Sequence, residues 1–206
     1  MRKHSTRVRG MSLAAICLGM GVLASPSYAQ SAWTAVQKVE PYAIGGTTGP
    51  ELYASIGQNG PKIGPTRAIA LTNFKLTWTR DYRPQGNACV LVTARPKLTI
   101  TTTLPRPSAR LTGSAKALWQ TFIDGITRHE AVHGDSLIAL TRTIEAETTG
   151  LRVEDDRACK KIRDAVSRRV GELYQAQRQE GRDFDRVEMS NGGNVHQLIL
   201  NLVNGR

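Results

Sequence analysis

Hydrophobic and polar side chains alternate through residues 30–110, which is the period of β-strands with one buried face. Phe74, Leu76 and Trp78 give the clearest alternation, and turn-forming residues 83–86 separate it from stretches rich in β-branched side chains. These stretches predict an N-terminal antiparallel sheet. The predicted strands are residues 42–44, 68–78, 87–93 and 97–103.

The hydrophobic period changes to three or four residues in the second half of the chain, which predicts amphipathic helices. A first helix begins near Ser114, a good N-cap residue, and ends at the break 148–150. A second helix runs from about Asp155 to about Gly181, and residues 195–203 predict a short last helix after a less regular stretch. We expect an α+β fold in which an antiparallel two-helix hairpin packs on the sheet.

The start of the chain has the three parts of an export signal. Four basic residues precede the apolar run Met11–Ala24, and Ser27 and Ala29 place small side chains before a cleavage site. A run of 14 residues spans only about 21 Å as a helix, too short for a membrane anchor. We therefore predict a signal peptide at residues 1–29 and one exported domain at residues 30–206, periplasmic or secreted, with no stable membrane anchor after cleavage.

Removal of the signal lowers the formal net charge from +11 to +7, because it takes away four basic and no acidic residues. The basic side chains of the second helix are interrupted by acidic ones such as Asp156 and Asp164, and aromatic content is only 5%. This pattern is typical of a solvated helix face and argues against a nucleic-acid interface.

Two cysteines, Cys89 and Cys159, remain after signal cleavage, while Cys17 leaves with the signal. An even pair in an oxidising compartment predicts one disulfide between the two halves of the domain.

The candidate chemistry lies in the His-Glu-x-x-His motif His129–His133 on the first predicted helix. Positions i and i+4 share one helix face, so His129 and His133 can bind one Zn²⁺ ion while Glu130 acts as general base on a water molecule. The apolar stripe of the helix continues through both histidines, which places them on its buried side. The alternative is a pair of core or surface histidines with ordinary hydrogen bonds.

The sequence leaves the third zinc ligand open. Counting back from the turn at Gly150 places residues 169–175 opposite the motif, which makes Glu172 a candidate. Glu145 lies about 18 Å along the same helix from His133 and is too distant to bind the same ion. The other candidates lie in the tail; they are Asp185, Glu188 and His196.

Taken together, these features resemble the DUF922 family, a group of predicted secreted zinc-dependent proteases. The matching segments are residues 42–47, 51–52, 60–61, 78, 81–82, 89, 104–106, 129–133 and 159. The family's Tyr-Asp-x-x-Thr-x-His-Gly element falls on residues 184–191, where Asp185 matches, Glu188 replaces the threonine and Ser190 replaces the histidine. The resemblance implies a zincin-like metallopeptidase acting on a peptide or protein substrate. The alternative is a catalytically inactive envelope protein of the same fold that acts as a binding module.

Overall fold

The structure, a computed structural model, describes residues 33–205. Strands and helices both occur, which confirms the predicted α+β class; the predicted signal peptide lies outside the described residues. In chain order the elements are β1 (Val36–Ile44), α1 (Gly49–Asn59), β2 (Lys62–Ile63), β3 (Thr66–Arg67), β4 (Leu71–Gln85), β5 (Ala88–Pro107), α2 (Gly113–Thr148), β6 (Arg152–Val153), α3 (Lys161–Met189) and α4 (Asn194–Asn204). Within this range, no helix has both the length and the apolar character needed to cross a membrane.

Strands β4 and β5 form a long antiparallel hairpin, as the alternating pattern predicts. Gly86 and Asn87 make its turn, and Gly86 adopts a φ of 65°, a conformation that glycine favours. The two stretches predicted as separate strands merge into the 20-residue strand β5. Strand β5 contains Pro96, which has no backbone N–H to donate. This is possible because β1 pairs with Thr99–Pro107, so that side of β5 has no paired strand at Pro96 among the described residues.

The sheet is mixed, whereas the sequence predicted an antiparallel one. Strand β1 pairs with β5 in parallel register, and the strand order is β1-β5-β4. After β1 the chain passes through α1 and then enters the hairpin, whose second strand runs in the same direction as β1. The alternation of side chains specifies a buried face but carries no information about the direction of the neighbouring strand.

Helix α2 confirms the first predicted helix, but the second starts later and continues further than predicted. Between the two helices the chain first forms the short strand β6, which pairs with Cys89 and Val90 of β5. Asp156 then accepts hydrogen bonds from the backbone N–H groups of Lys160 and Ile162 at the start of α3. Helix α3 passes through Gly181, where we expected its end, since one glycine costs a helix only about 1 kcal/mol.

The Cys89–Cys159 disulfide is present, as predicted, and ties β5 to the segment before α3. Around it lies a first group of buried side chains, with Leu91, Ile162 and Val166. A second group lies among α1, α2 and α4, and a third lies between the sheet and α2 at Leu137. Helix α2 therefore contacts the sheet on one side and α3 and α4 on others, and it carries the His-Glu-x-x-His motif.

Candidate metal centre

Helix α2 carries His129 and His133 four residues apart, so that both imidazoles project towards helix α3. The His129 side chain is 11% exposed and that of His133 is 19% exposed, in agreement with the inward face expected from the apolar stripe. Their Nε2 atoms lie 3.3 Å apart. The two rings therefore present nitrogen atoms to a common point.

Asp185 of α3 completes a group of three potential ligands with these histidines. Its Oδ1 atom lies 2.9 Å from Nε2 of His133 and 3.2 Å from Nε2 of His129. The three atoms thus form a nearly equilateral triangle with sides of 2.9, 3.2 and 3.3 Å. Four ligands placed tetrahedrally at about 2.0–2.1 Å from zinc are separated from one another by about 3.3 Å. Both the donor types and their spacing therefore fit a divalent ion such as Zn²⁺.

The charges of this group depend on one another. Burial alone would raise the pKa of Asp185, but hydrogen bonds and charge attraction from His129 and His133 outweigh it and hold that pKa well below its usual range. The hydrogen bond with Asp185 raises the pKa of His133; burial opposes this, and the charges of Asp185 and Glu130 add to it. Without a metal, the site therefore favours an ionised carboxylate beside a protonated imidazole.

Glu130, the predicted general base, follows His129 on α2 and contacts the sheet. It is only 6% exposed, and its Oε2 atom accepts a hydrogen bond of 2.7 Å from the hydroxyl of Thr72 on β4. Thr72 in turn lies 3.3 Å, oxygen to oxygen, from the hydroxyl of Thr102 on β5. The group of three potential ligands found among residues 33–205 does not include Glu130.

Phe184 is a site residue that the motif alone did not indicate. Its ring stacks on His129 at a centroid distance of 4.8 Å and meets the edge of His133 at 5.4 Å. The signal available in the sequence was its place next to Asp185, in the element shared with the family. Packed against both imidazoles, Phe184 restricts their rotation.

The other three candidates for the third ligand do not belong to the triangle of donor atoms. Glu172 is exposed on α3 and pairs with Arg169. The ring of His196 on α4 accepts a hydrogen bond from the backbone of Gly192. Glu188 is close to His129, but its Oε2 atom faces Nδ1 at 3.7 Å rather than Nε2. The expectation that residues 169–175 lie opposite the motif was wrong. Residues 149–160 form a connection that contains β6, and this connection shifts α3 along α2 by about three helical turns.

A cavity of about 500 Å³ opens beside His129, between α2, the end of α3 and α4. Phe184 and Glu188 line it near the imidazole, and Arg128 and Val132 line it on α2. Its volume is within the range of small-molecule and peptide-residue sites. The ligand group thus has open space next to it.

Comparison with known proteins identifies a family. The family model described as a bacterial protein of unknown function (DUF922) matches residues 39–193, a range that includes the motif, Asp185 and both disulfide cysteines. No curated protein and no solved structure matches the chain.

Proposed function

The chain belongs to the DUF922 family, and from this premise we propose that it is an exported zinc-dependent peptidase with its active site at His129, His133 and Asp185. The observation that carries the proposal is the convergence of the three donor atoms within 3.3 Å of one another beside the buried carboxylate of Glu130. An export route agrees with the Cys89–Cys159 disulfide, since such bonds persist in oxidising compartments.

In this proposal His129, His133 and Asp185 hold the zinc ion. When bound, zinc supplies a Lewis acid that polarises a peptide carbonyl and makes a water molecule more acidic. Glu130 accepts a proton from the attacking water as its oxygen forms a bond to the carbonyl carbon. The same carboxylate then delivers the proton to the amine nitrogen as the C–N bond breaks. The Thr72 hydroxyl fixes the orientation of Glu130 for both transfers.

The substrate in this proposal is a peptide or protein. The cavity beside His129 offers room for residues that flank the hydrolysed bond. Arg128 and the amide side chains of Asn194, Gln197 and Asn201 supply polar contacts there, and Val132 and Leu198 supply apolar ones.

A binding module of the same fold is the second candidate. It is favoured by the departure of Glu188 and Ser190 from the Thr and His of the family's C-terminal element. Such a protein would act through contact with a partner in the cell envelope rather than through hydrolysis.

Metal analysis of the mature protein, combined with an assay on an unstructured protein substrate such as casein, tests the proposal. We expect about one zinc per wild-type chain, and loss of that zinc in His129→Ala but not in the matched control His196→Ala. Glu130→Gln should keep the metal and lose hydrolysis. Equal zinc in wild type and His129→Ala would refute the site. Full zinc in a wild-type protein without hydrolysis of any peptide tested would favour the binding module.

A further inference from the structure

The Nδ1 atom of His129 is buried and has no hydrogen-bond partner among the described residues. The nearest acidic atom is Oε2 of Glu188 at 3.7 Å, within the range of an ion pair but beyond a hydrogen bond. When Nε2 binds a metal ion, Nδ1 carries the ring proton, and a buried N–H without a partner is costly. The neighbouring carboxylate of Glu188 therefore calls for an explanation.

Glu188 is itself held in place from the other side. Its Oε1 atom accepts a hydrogen bond of 2.7 Å from the amide of Asn194, the first residue of α4. The turn between α3 and α4 makes this contact possible. A side chain at Gly193 would meet the backbone oxygen of Val187 at 2.3 Å, and Gly192 adopts a φ of +87°. Only 13% of the Glu188 side chain is exposed, so this carboxylate is a buried part of the site.

We propose that Glu188 is a positioning residue for His129. Its carboxylate accepts the Nδ1–H of the imidazole and thereby selects the tautomer in which the Nε2 lone pair is free for a metal ion. Histidines that bind metals are commonly oriented by a carboxylate in this way. The contact needs to close by about 1 Å to reach hydrogen-bond length, a shift that one side-chain torsion can supply. The inference rests on the proposed zinc site.

The spacing of the two acidic residues on α3 supports the assignment. Asp185 and Glu188 are three residues apart and share one helix face. Asp185 reaches Nε2 of both histidines, whereas Glu188 reaches only the far nitrogen of His129. Stacked Phe184 opposes a ring flip that would exchange the two nitrogens. The two carboxylates therefore have different tasks: one binds the metal and the other orients a ligand.

Zinc affinity measured by competition with a chelator tests the proposal. We expect Glu188→Gln, which keeps the shape and removes the charge, to weaken zinc binding by about 10- to 100-fold. Asn194→Ala, which leaves the carboxylate but releases it, should weaken binding less. Glu172→Gln is the matched control, because it removes the same charge from an exposed position of the same helix.

A spectroscopic measurement on the metal-free protein separates this role from a structural link between α3 and α4. Asp185 competes for a proton on Nε2 in the metal-free wild type, so the comparison is made in the Asp185→Ala background. There the ¹⁵N shifts of neutral His129 should show Nδ1–H, and adding Glu188→Gln should give a mixture of tautomers. If Glu188→Gln changed neither the zinc affinity of the otherwise wild-type protein nor these tautomer populations, the proposal would be overturned, even if the variant were less stable. If wild type bound no zinc, the proposed function would fail, and the ¹⁵N spectra alone would decide whether Glu188 orients His129.

Discussion

The Oδ1 atom of Asp185 lies 2.9 Å from Nε2 of His133, although 52 residues separate the two side chains in sequence. Helix α3 makes this contact because it continues without interruption to Met189. The contact joins an acidic residue of the C-terminal element to the central motif, and the candidate site depends on it.

Loss of the Asp185 carboxylate should remove the metal. Loss of a residue that only orients a ligand lowers metal affinity by about 10- to 100-fold. We expect a larger loss of zinc affinity in Asp185→Ala, because this variant lacks a ligand itself. Asp183→Ala is the control, since Asp183 lies on the same helix and pairs with Arg186. Zinc content is measured after dialysis against a weak chelator. Retention of zinc by Asp185→Ala would exclude Asp185 as the third ligand.

In the metal-free protein, the contact between Asp185 and His133 should stabilise the fold only within a pH window. The folded-state pKa of His133 is raised above 6.5. Its contribution to the free energy of unfolding is therefore complete below about pH 6.5 and is lost as pH rises through the folded-state pKa. The folded-state pKa of Asp185 is lowered from 3.8, so its contribution is present above about pH 3.8 and is lost as pH falls. The stabilising window therefore lies between these limits.

The free energy of unfolding of wild type and Asp185→Asn, measured with a chelator across pH, checks this window. We expect the difference to be greatest at about pH 5–6 and to shrink on both sides. Its maximum should be about 1 kcal/mol, because half of the Asp185 side chain is exposed and solvent screens the pair. A difference that does not change with pH would show that Asp185 acts through packing alone.

The motif and its helix could be predicted from the sequence, whereas the ligand that completes the site could not. Spacing of four residues and the apolar stripe were enough to place His129 and His133 on one inward face. The position of Asp185 opposite them depends on non-local features, namely the pairing of β6 with β5 and the continuation of α3 beyond Gly181. Neither feature produces a periodic pattern of hydrophobic residues in the sequence.

The same distinction holds for the sheet and the disulfide. Alternation identified the hairpin strands, and the cysteine count identified the Cys89–Cys159 pair. The parallel pairing of β1 depends on the path of the chain through α1, and local side-chain patterns do not record that path.

Removal of the Thr72 hydroxyl should impair hydrolysis without removing the metal. Thr72→Val leaves the buried Glu130 carboxylate without its hydrogen bond, and such a bond to a charged group is worth about 1.5–3 kcal/mol of stability. We expect lower kcat, unchanged zinc content and a lower free energy of unfolding. Thr77→Val, on an exposed position of the same strand, is the control. Unchanged kcat in a folded Thr72→Val protein would show that Glu130 does not need this contact.

Two glycines of α1 should respond to alanine in opposite directions. A Cβ atom at Gly49 would lie 1.8 Å from the backbone oxygen of Leu202 in α4, and a backbone atom cannot move aside as a side-chain tip can. Gly49→Ala should therefore force α1 and α4 apart and lower the free energy of unfolding by about 1–3 kcal/mol. Gly57 is exposed and has no atom within 4 Å of its Cβ position. Gly57→Ala should instead raise the free energy of unfolding by about 0.5–1 kcal/mol, because alanine loses less conformational entropy in a helix. Urea unfolding of both variants measures these changes, and equal effects at the two positions would contradict the close approach of α1 to α4.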